Sequence, residues 1–488
     1  MSLRDELVSR FRAQLASKVV TAVAGGALTV GLARLLDPTS YGLLFLALAV
    51  LGTFRLAARF GLARSAGRYI AEYDETDPSQ IPHIVRNSLL LNIGSILIAV
   101  LVLAASHQYI ASVLDEPELA PFLLLGILFV VFGTSMAYLE RVIQGFEAIT
   151  FAALLRGLER GSRSILALGL VVAGFGAIGA LWGYVLSSLL VSIIGFAYLY
   201  RRVRSHYEPA DAVKPGLNRR IGEYAVPIMA TNTSMVLDNM IDTFLVGFFL
   251  SPVSVSYYVI SKQVVRFLEL PVNALSFTIS PTFGSQKAAG NVDRLSRLYE
   301  KSLTNALLLY IPAGFGLILI AEPMIQLVFG PDYSGAVVVV QVLALYVILM
   351  AVTKISDNGL DYLGRARERA IARGLTAGLN VGLNVILIPL VGVVGAAIAT
   401  VVTYGLYTAA NVYIAAQEFN LRVEFILRRL GLVAVITATM SIVVLALTGY
   451  ISGWITFSLV VVAGGVVWGV LSVATGLLDV EKVVSIVT

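Results

Sequence analysis

The sequence predicts an all-α polytopic membrane protein of about fourteen transmembrane helices, built as two parallel six-helix lobes plus two C-terminal helices. Four observations carry this expectation. Of 488 residues, 58% are hydrophobic and 13% charged, with a mean hydropathy of +0.86, a balance foreign to soluble domains. Apolar runs recur along the whole chain, each long enough to cross about 30 Å of hydrocarbon as a helix. The polar connections between them alternate in charge, and short motifs repeat at a near-constant offset.

The expected spans, in order, are 16–36, 41–61, 87–106, 119–139, 149–173, 177–199, 221–248, 252–280, 302–321, 336–358, 371–389, 393–416, 427–448 and 452–477. A charged, amphipathic stretch (Arg4 to Lys18) leads into the first, and no small-residue cleavage pattern follows it, so no removable signal peptide is expected. The connections near 37–40, 107–118, 174–176, 249–251, 322–335, 390–392 and 449–451 hold no Lys or Arg; they carry Asp37, Asp115, Glu116, Glu118, Glu322 and Asp332. The remaining connections hold most of the 35 basic residues, including Arg201, Arg202, Arg204, Lys214, Arg219, Arg220 and the run from Arg365 to Arg373. The positive-inside rule therefore places both termini and all basic loops in the cytoplasm, in a multi-pass protein of the plasma membrane. That placement also accounts for the pI near 9.2 through topology and anionic lipid, so nucleic acid is not an expected partner.

The repeat sets the organisation. Gly392-Val393-Val394-Gly395-Ala396 echoes Gly176-Ala177-Ile178-Gly179-Ala180, 216 residues earlier. Leu250-Ser251-Pro252-Val253-Ser254 echoes Leu36-Asp37-Pro38-Thr39-Ser40, 214 earlier, and Leu363-Gly364 loosely echoes Gln144-Gly145, 219 earlier. Six spans per copy is an even number, so both copies enter the membrane the same way up, related by an axis along the membrane normal. The expected organisation is an N-lobe at 1–210, a C-lobe at 211–420 and two lipid-facing helices at 421–488. No charged residue lies between Gly431 and Leu478.

Charges inside spans cost about 2.5–3.5 kcal/mol each on insertion scales, so they mark a wet cavity or a partner. The seventh span carries Asn232, Asp238, Asn239 and Asp242; the eighth carries Lys262, Arg266 and Glu269. Asp238 and Lys262 each fall roughly 15 Å below the outer end of neighbouring antiparallel helices, where they can pair as a structural ion pair or as a charge-responsive switch. Arg55, on the second span, lies about 21 Å below its outer end, level with Arg266 to within a turn. If these two face each other across the seam they form a bidentate phosphate site; the alternative is that Arg55, like the deeper Arg59, reaches to the surface. Asn380 and Asn384 share a face of the eleventh span, and with Thr400 and Asp238 or Asp242 they offer hard oxygen donors for a monovalent cation, or plain interhelical hydrogen bonds. No cysteine, isolated histidines, no metal cluster and no nucleophile–base pair argue against an enzyme. The match Gly174-Phe175-Gly176-Ala177-Ile178-Gly179 to a nucleotide fingerprint has no preceding strand and implies none.

The stretch from Asn380 through Pro389, Gly392 and Gly395 to Thr400, with the turn Leu35-Leu36-Asp37-Pro38-Thr39-Ser40-Tyr41-Gly42, resembles polysaccharide and lipid-linked oligosaccharide flippases of the multidrug/oligosaccharidyl-lipid/polysaccharide exporter superfamily. The resemblance implies two six-helix lobes around a cavity, alternating access, and a polyprenyl- or dolichyl-phosphate-linked oligosaccharide carried from the cytoplasmic to the outer leaflet for surface polysaccharide or glycoprotein assembly. It implies that Arg55, Lys262 and Arg266 meet the substrate, to which the span charges add Arg59 and Asp238 as candidates, and that the tail lies along the last two helices. It implies a sodium site for Asp238 or Asp242, Asn380, Asn384 and Thr400, although relatives with that site can carry a second carboxylate where this chain has Asn384. No cofactor is expected beyond Na+ or H+ coupling. Expected partners are the lipid-linked glycan, membrane lipids, and glycosyltransferases or a polymerase. A cation-coupled drug exporter, a flippase for a lipid-linked peptidoglycan precursor and a non-transporting scaffold are the alternatives.

Overall fold

The structure is a computed structural model that describes residues 24–59, 61–418 and 421–478; the side chains of residues 218, 226–239, 270, 274–282, 284–288, 358 and 362 lie outside that description. Each expected span falls on a helix: α1 (Ala24–Leu35), α2 (Pro38–Arg59), α4 (Ile81–Val113), α5 (Leu119–Gly145), α6 (Ile149–Leu170), α7 (Gly176–His206), α8 (Leu217–Phe249), α9 (Pro252–Ala288), α10 (Val292–Val328), α11 (Ala336–Tyr362), α12 (Ala366–Val391), α13 (Val393–Glu418), α14 (Val423–Thr448) and α15 (Trp454–Ala474). One further helix, α3 (Leu62–Thr76), was not expected. Ten stretches among the described residues are long and apolar enough to cross a membrane. The chain divides into two compact units, Met1–Val255 and Ser256–Thr488.

In the first unit, α2 opens on a cap the sequence spells out. The Asp37 carboxylate accepts the backbone N–H groups of Thr39 (2.9 Å) and Ser40 (3.0 Å), and Pro38, which has no N–H to satisfy, takes the first helical position. The expected span 41–61 is corrected at its other end. Gly61 adopts φ 70°, and a Cβ there would lie 2.3 Å from the Ala225 carbonyl oxygen, so the chain turns where it passes closest to α8. Beyond that turn Leu62, Ala66, Tyr69, Ile70 and Tyr73 recur at helical spacing and bury one face of α3 against α4, α5 and α8. Ser65 Oγ donates to the Ile221 carbonyl at 2.8 Å, and Tyr69 OH to the Arg220 carbonyl at 3.2 Å.

The repeated glycine motif has a conformational meaning. Gly176 (φ 55°, ψ −150°) and Gly392 (φ 69°, ψ −152°) occupy the same backbone region, which is essentially closed to residues with a Cβ. Three residues on, a Cβ on Gly179 would lie 2.5 Å from Phe175 Cβ, and one on Gly395 would lie 2.3 Å from the Leu387 carbonyl oxygen. Each motif therefore turns the chain with its first glycine and lets two consecutive helices close up with its second: α6 on α7, and α12 on α13. The looser echo is corrected in register. Helices α5 and α11 are both 27 residues long and begin 217 residues apart, which aligns Gly364 (φ 78°) with Glu147 (φ 59°) rather than with Gly145.

In the second unit, α9 carries Pro271 in mid-helix. The Tyr310 hydroxyl from α10 accepts the Val272 N–H at 2.8 Å and donates to the Leu268 carbonyl at 2.6 Å, so it sits in the ladder beside the proline. The hairpin α14–α15 rests on α10. Glu300, 1% exposed, accepts the Arg422 backbone N–H (2.6 Å) and its Nε and Nη2 (3.0 and 2.6 Å), and Trp468 Nε1 donates to the Leu308 carbonyl at 2.9 Å.

Candidate functional site

In the first unit α2 and α6 bring several arginines together against α5 and α7. Arg55 leaves α2 and donates from Nη2 to the Gly133 carbonyl of α5 at 3.1 Å. Its guanidinium lies 4.3 Å from the centre of the Phe129 ring. Gly133 is what admits it, since a Cβ there would lie 2.9 Å from Arg55 Cζ. Arg163, on α6, pairs with Glu159, which is 4% exposed, and sits 4.7 Å over the Tyr184 ring of α7. Phe129 and Tyr184 meet edge to face at 5.8 Å, so the two cations stand on two touching rings. Arg59 and Arg163 are the like charges that act on Arg55. Nearby, Arg156 pairs with Glu140, and Arg160 feels both.

The charge does not balance. Of the five guanidiniums near Glu140 and Glu159, Arg156 and Arg163 each hold one carboxylate, Arg59 and Arg160 are exposed, and Arg55 is left inside. Among the described residues no carboxylate pairs with Arg55, and its buried Nε has no hydrogen-bond partner; the buried Nε of Arg163 has none either. A buried cation without a counter-charge is costly, and the arrangement supplies donors where an anion would recover that cost.

The other expected site residues are placed as follows. The side chain of Asp238 lies outside the described residues. Asp242 is buried on α8 in the first unit. Lys262 lies 5.2 Å from the Tyr258 ring, and Arg266 is exposed on α9 in the second unit. Asn380, Asn384 and Thr400 are brought together on α12 and α13. Asn384 Nδ2 donates to Asn380 Oδ1 (2.9 Å) and to its carbonyl (3.0 Å), Asn380 Nδ2 donates to Thr403 Oγ1 (3.2 Å), and Thr400 Oγ1 lies 3.3 Å from the Tyr258 hydroxyl. No group of three His, Cys, Asp or Glu that could hold a metal occurs among the described residues. The residues that sequence reasoning passed over are Glu140, Arg156, Glu159, Arg160 and Arg163. The signal was present, for Arg156, Glu159, Arg160 and Arg163 follow three- and four-residue spacing inside a span. At the 217-residue offset Glu140 maps onto Asp357 and Arg156 onto Arg373. Asp357 accepts from Tyr407 OH and Asn411 Nδ2, both at 2.9 Å, and lies in the field of Arg373.

Ten stretches apolar and long enough to cross a membrane among the described residues, with an internal repeat, define a polytopic membrane protein. The chain belongs to the family described as polysaccharide biosynthesis protein, whose profile matches residues 31–338. Two Haloferax volcanii proteins are similar to it: the "Probable low-salt glycan biosynthesis flippase Agl15", 23% identical over 80% of both chains, and the "Probable flippase AglR", 24% identical over 80% of this chain and 79% of that one. The lipopolysaccharide biosynthesis protein WzxC of Escherichia coli is 23% identical over 72% of this chain and 69% of its own. The fold is shared with the lipid II flippase MurJ in its inward closed conformation (TM-score 0.75, 16% identity, 95% of this chain and 98% of that one). It is also shared with an inward-facing multidrug resistance transporter of the MATE family (TM-score 0.66, 15% identity, 83% and 97%).

Proposed function

We propose that this protein is a flippase that carries a polyprenyl- or dolichyl-phosphate-linked oligosaccharide from the cytoplasmic to the outer leaflet by alternating access, with no chemical step. The observation that carries this reading is Arg55, a cation lodged on Gly133 and Phe129 with no carboxylate partner among the described residues and with the like charges of Arg59 and Arg163 acting on it. Guanidinium donors in a water-poor site suit a phosphate, which two arginines can grip through parallel hydrogen bonds. Lys262, Arg266 and Asp238 are further candidate substrate contacts in this reading, with the carrier tail in lipid along α14 and α15 and alternating access by the lobes expected at 1–210 and 211–420. The basic loops and both termini face the cytoplasm of the plasma membrane. Coupling to Na+ or H+ belongs to this proposal, with Asn380, Asn384 and Thr400 as candidate oxygen donors. Delivery from glycosyltransferases and hand-over to a polymerase complete it. An excess of arginine disfavours cationic drugs as cargo.

The test is delivery of a defined lipid-linked oligosaccharide across vesicles by Arg55→Ala and Arg163→Lys, with and without a sodium or proton gradient. Arg55→Ala is expected to lose at least about tenfold of the transport rate, the scale of one charge-assisted hydrogen bond; Arg163→Lys should retain more, because Glu159 keeps its partner. Wild-type rates for Arg55→Ala at normal expression would remove the phosphate role.

A further inference from the structure

The second unit holds a polar and aromatic cluster that a phosphate grip does not use. Tyr346 of α11 and Tyr404 of α13 meet edge to face, their ring centres 4.6 Å apart. Tyr404 meets Tyr407 in the same way at 6.0 Å, and the Arg373 guanidinium of α12 lies 5.5 and 5.0 Å from those two rings. Behind them the Asp357 carboxylate holds Tyr407 and Asn411, both buried, which fixes the wall. From α9, Glu269 acts electrostatically on both Tyr346 and Tyr404, and Lys354 acts on Glu269 and Asp357 alike. Glu269, Tyr346, Lys354, Arg373 and Tyr404 are each half-buried. Charged groups inside spans turn to a wet cavity or a partner rather than to hydrocarbon, so this half-open face is a place for a polar ligand.

The repeat shows how the face differs from the arginine site. Helices α2 and α9 both begin on a proline, Pro38 and Pro252, 214 residues apart, and α5 and α11 begin 217 apart. At those offsets Glu269 takes the place of Arg55, and Tyr346 the place of Phe129. The first copy lays an arginine on a phenyl ring, 4.3 Å from its centre. The second copy has a carboxylate and a phenol in the corresponding places, so position is kept and chemistry is reversed. Arg55 has no carboxylate partner among the described residues, whereas the cations here stand among acids: Lys262, Arg266 and Lys354 act on Glu269, and Lys354, Arg369 and Arg373 on Asp357. Cations whose field is already offset by carboxylates hold a phosphate less strongly. Sugar hydroxyls both donate and accept, which a mixed set of acids, bases and phenols serves. The C–H face of a pyranose suits the negative face of an aromatic ring.

We propose that this face of the second unit is a saccharide subsite, in which Tyr346 and Tyr404 take the apolar face of a pyranose ring, Glu269 accepts its hydroxyl hydrogens, and Lys354 and Arg373 donate to its oxygens. The assignment rests on the flippase reading and names the part of the cargo that the second unit selects, the sugar rather than the phosphate.

The experiment uses the purified full chain in neutral detergent, with bound carrier counted by native mass spectrometry. The probes are bare dolichyl phosphate and dolichyl phosphate bearing one hexose (glucose, mannose or galactose). The readout is the affinity for the best hexose-bearing probe divided by the affinity for the bare one. Wild type is expected to give a ratio of at least about ten, and Glu269→Gln, which keeps the shape and loses the charged acceptor, should bring it close to one, the scale of one charge-assisted hydrogen bond. Tyr346→Leu, which removes the ring, should also lower the ratio, while Tyr346→Phe, which keeps the ring, should retain most of it. Arg55→Ala should weaken both probes and leave the ratio near its wild-type value. An unchanged ratio in Glu269→Gln or in Tyr346→Leu overturns the subsite, as does a wild-type ratio near one; each of these leaves the flippase reading standing. A general packing fault weakens both probes alike and so counts as an unchanged ratio. Wild type that binds neither probe removes the flippase reading, and the subsite with it.

Discussion

At the scale of single residues, the side chains that matter are those whose charge has been taken out of water. Arg55 was legible in the sequence because a lone arginine deep in an apolar span is costly; that it leans on Gly133 and Phe129 was not, because a hydrogen bond across 78 residues leaves no local pattern. Arg163 was passed over, although it shares its span with Arg156, Glu159 and Arg160 at helical spacing. Asp37 shows the opposite case, a role legible from four residues. Burial pushes its carboxyl up, but bonds from Ser40 and Thr39 outweigh this and hold it below the ordinary carboxylate range. A group lowered in this way stabilises the fold above its unfolded pKa and loses that contribution as pH falls through its folded pKa. Asp37→Ala is therefore expected to cost about 1 kcal/mol at neutral pH, read as a lower melting temperature in detergent. That difference from wild type should shrink below about pH 4; a difference that stays constant down to pH 3 would contradict the cap.

At the scale of elements, helix number was legible and helix ends were not. Hydropathy places every span, but it cannot see that Gly61 must pass Ala225, nor that α3 uses a polar-looking sequence to bury Tyr69, Ile70 and Tyr73. The most informative element is α9. A proline in a membrane helix disturbs the ladder, and neighbouring side chains commonly fill the gap; here Tyr310 from α10 enters the rung beside it, between the Val272 N–H and the Leu268 carbonyl. Tyr310→Phe strands the Leu268 carbonyl and the Val272 N–H, a loss of about 1–3 kcal/mol. It should lower thermal stability and speed amide exchange around Val272. Exchange no faster than wild type would show that the helix closes its own ladder there.

At the scale of the whole molecule, the alternation of basic and acidic connections is the feature with the longest reach, and its consequence is open to direct measurement. The chain has no cysteine, so single cysteines can be introduced without removing any. One at Ser79, in a basic connection, should be labelled by an impermeant thiol reagent only from the cytoplasmic side, and one at Glu118, in an acidic connection, only from outside. Labelling of both from one side would break the even span count and, with it, the parallel reading of the repeat. That repeat was visible as a handful of matching letters, and the two glycine turns explain why those letters persist when most of the surrounding sequence differs. At Gly176 and Gly392 every missense change adds a Cβ to a backbone that cannot hold one. In a saturation library selected for transport, these two codons should therefore stand out as paired cold spots, empty of variants and 216 positions apart, amid apolar helix faces that accept most exchanges of one aliphatic residue for another.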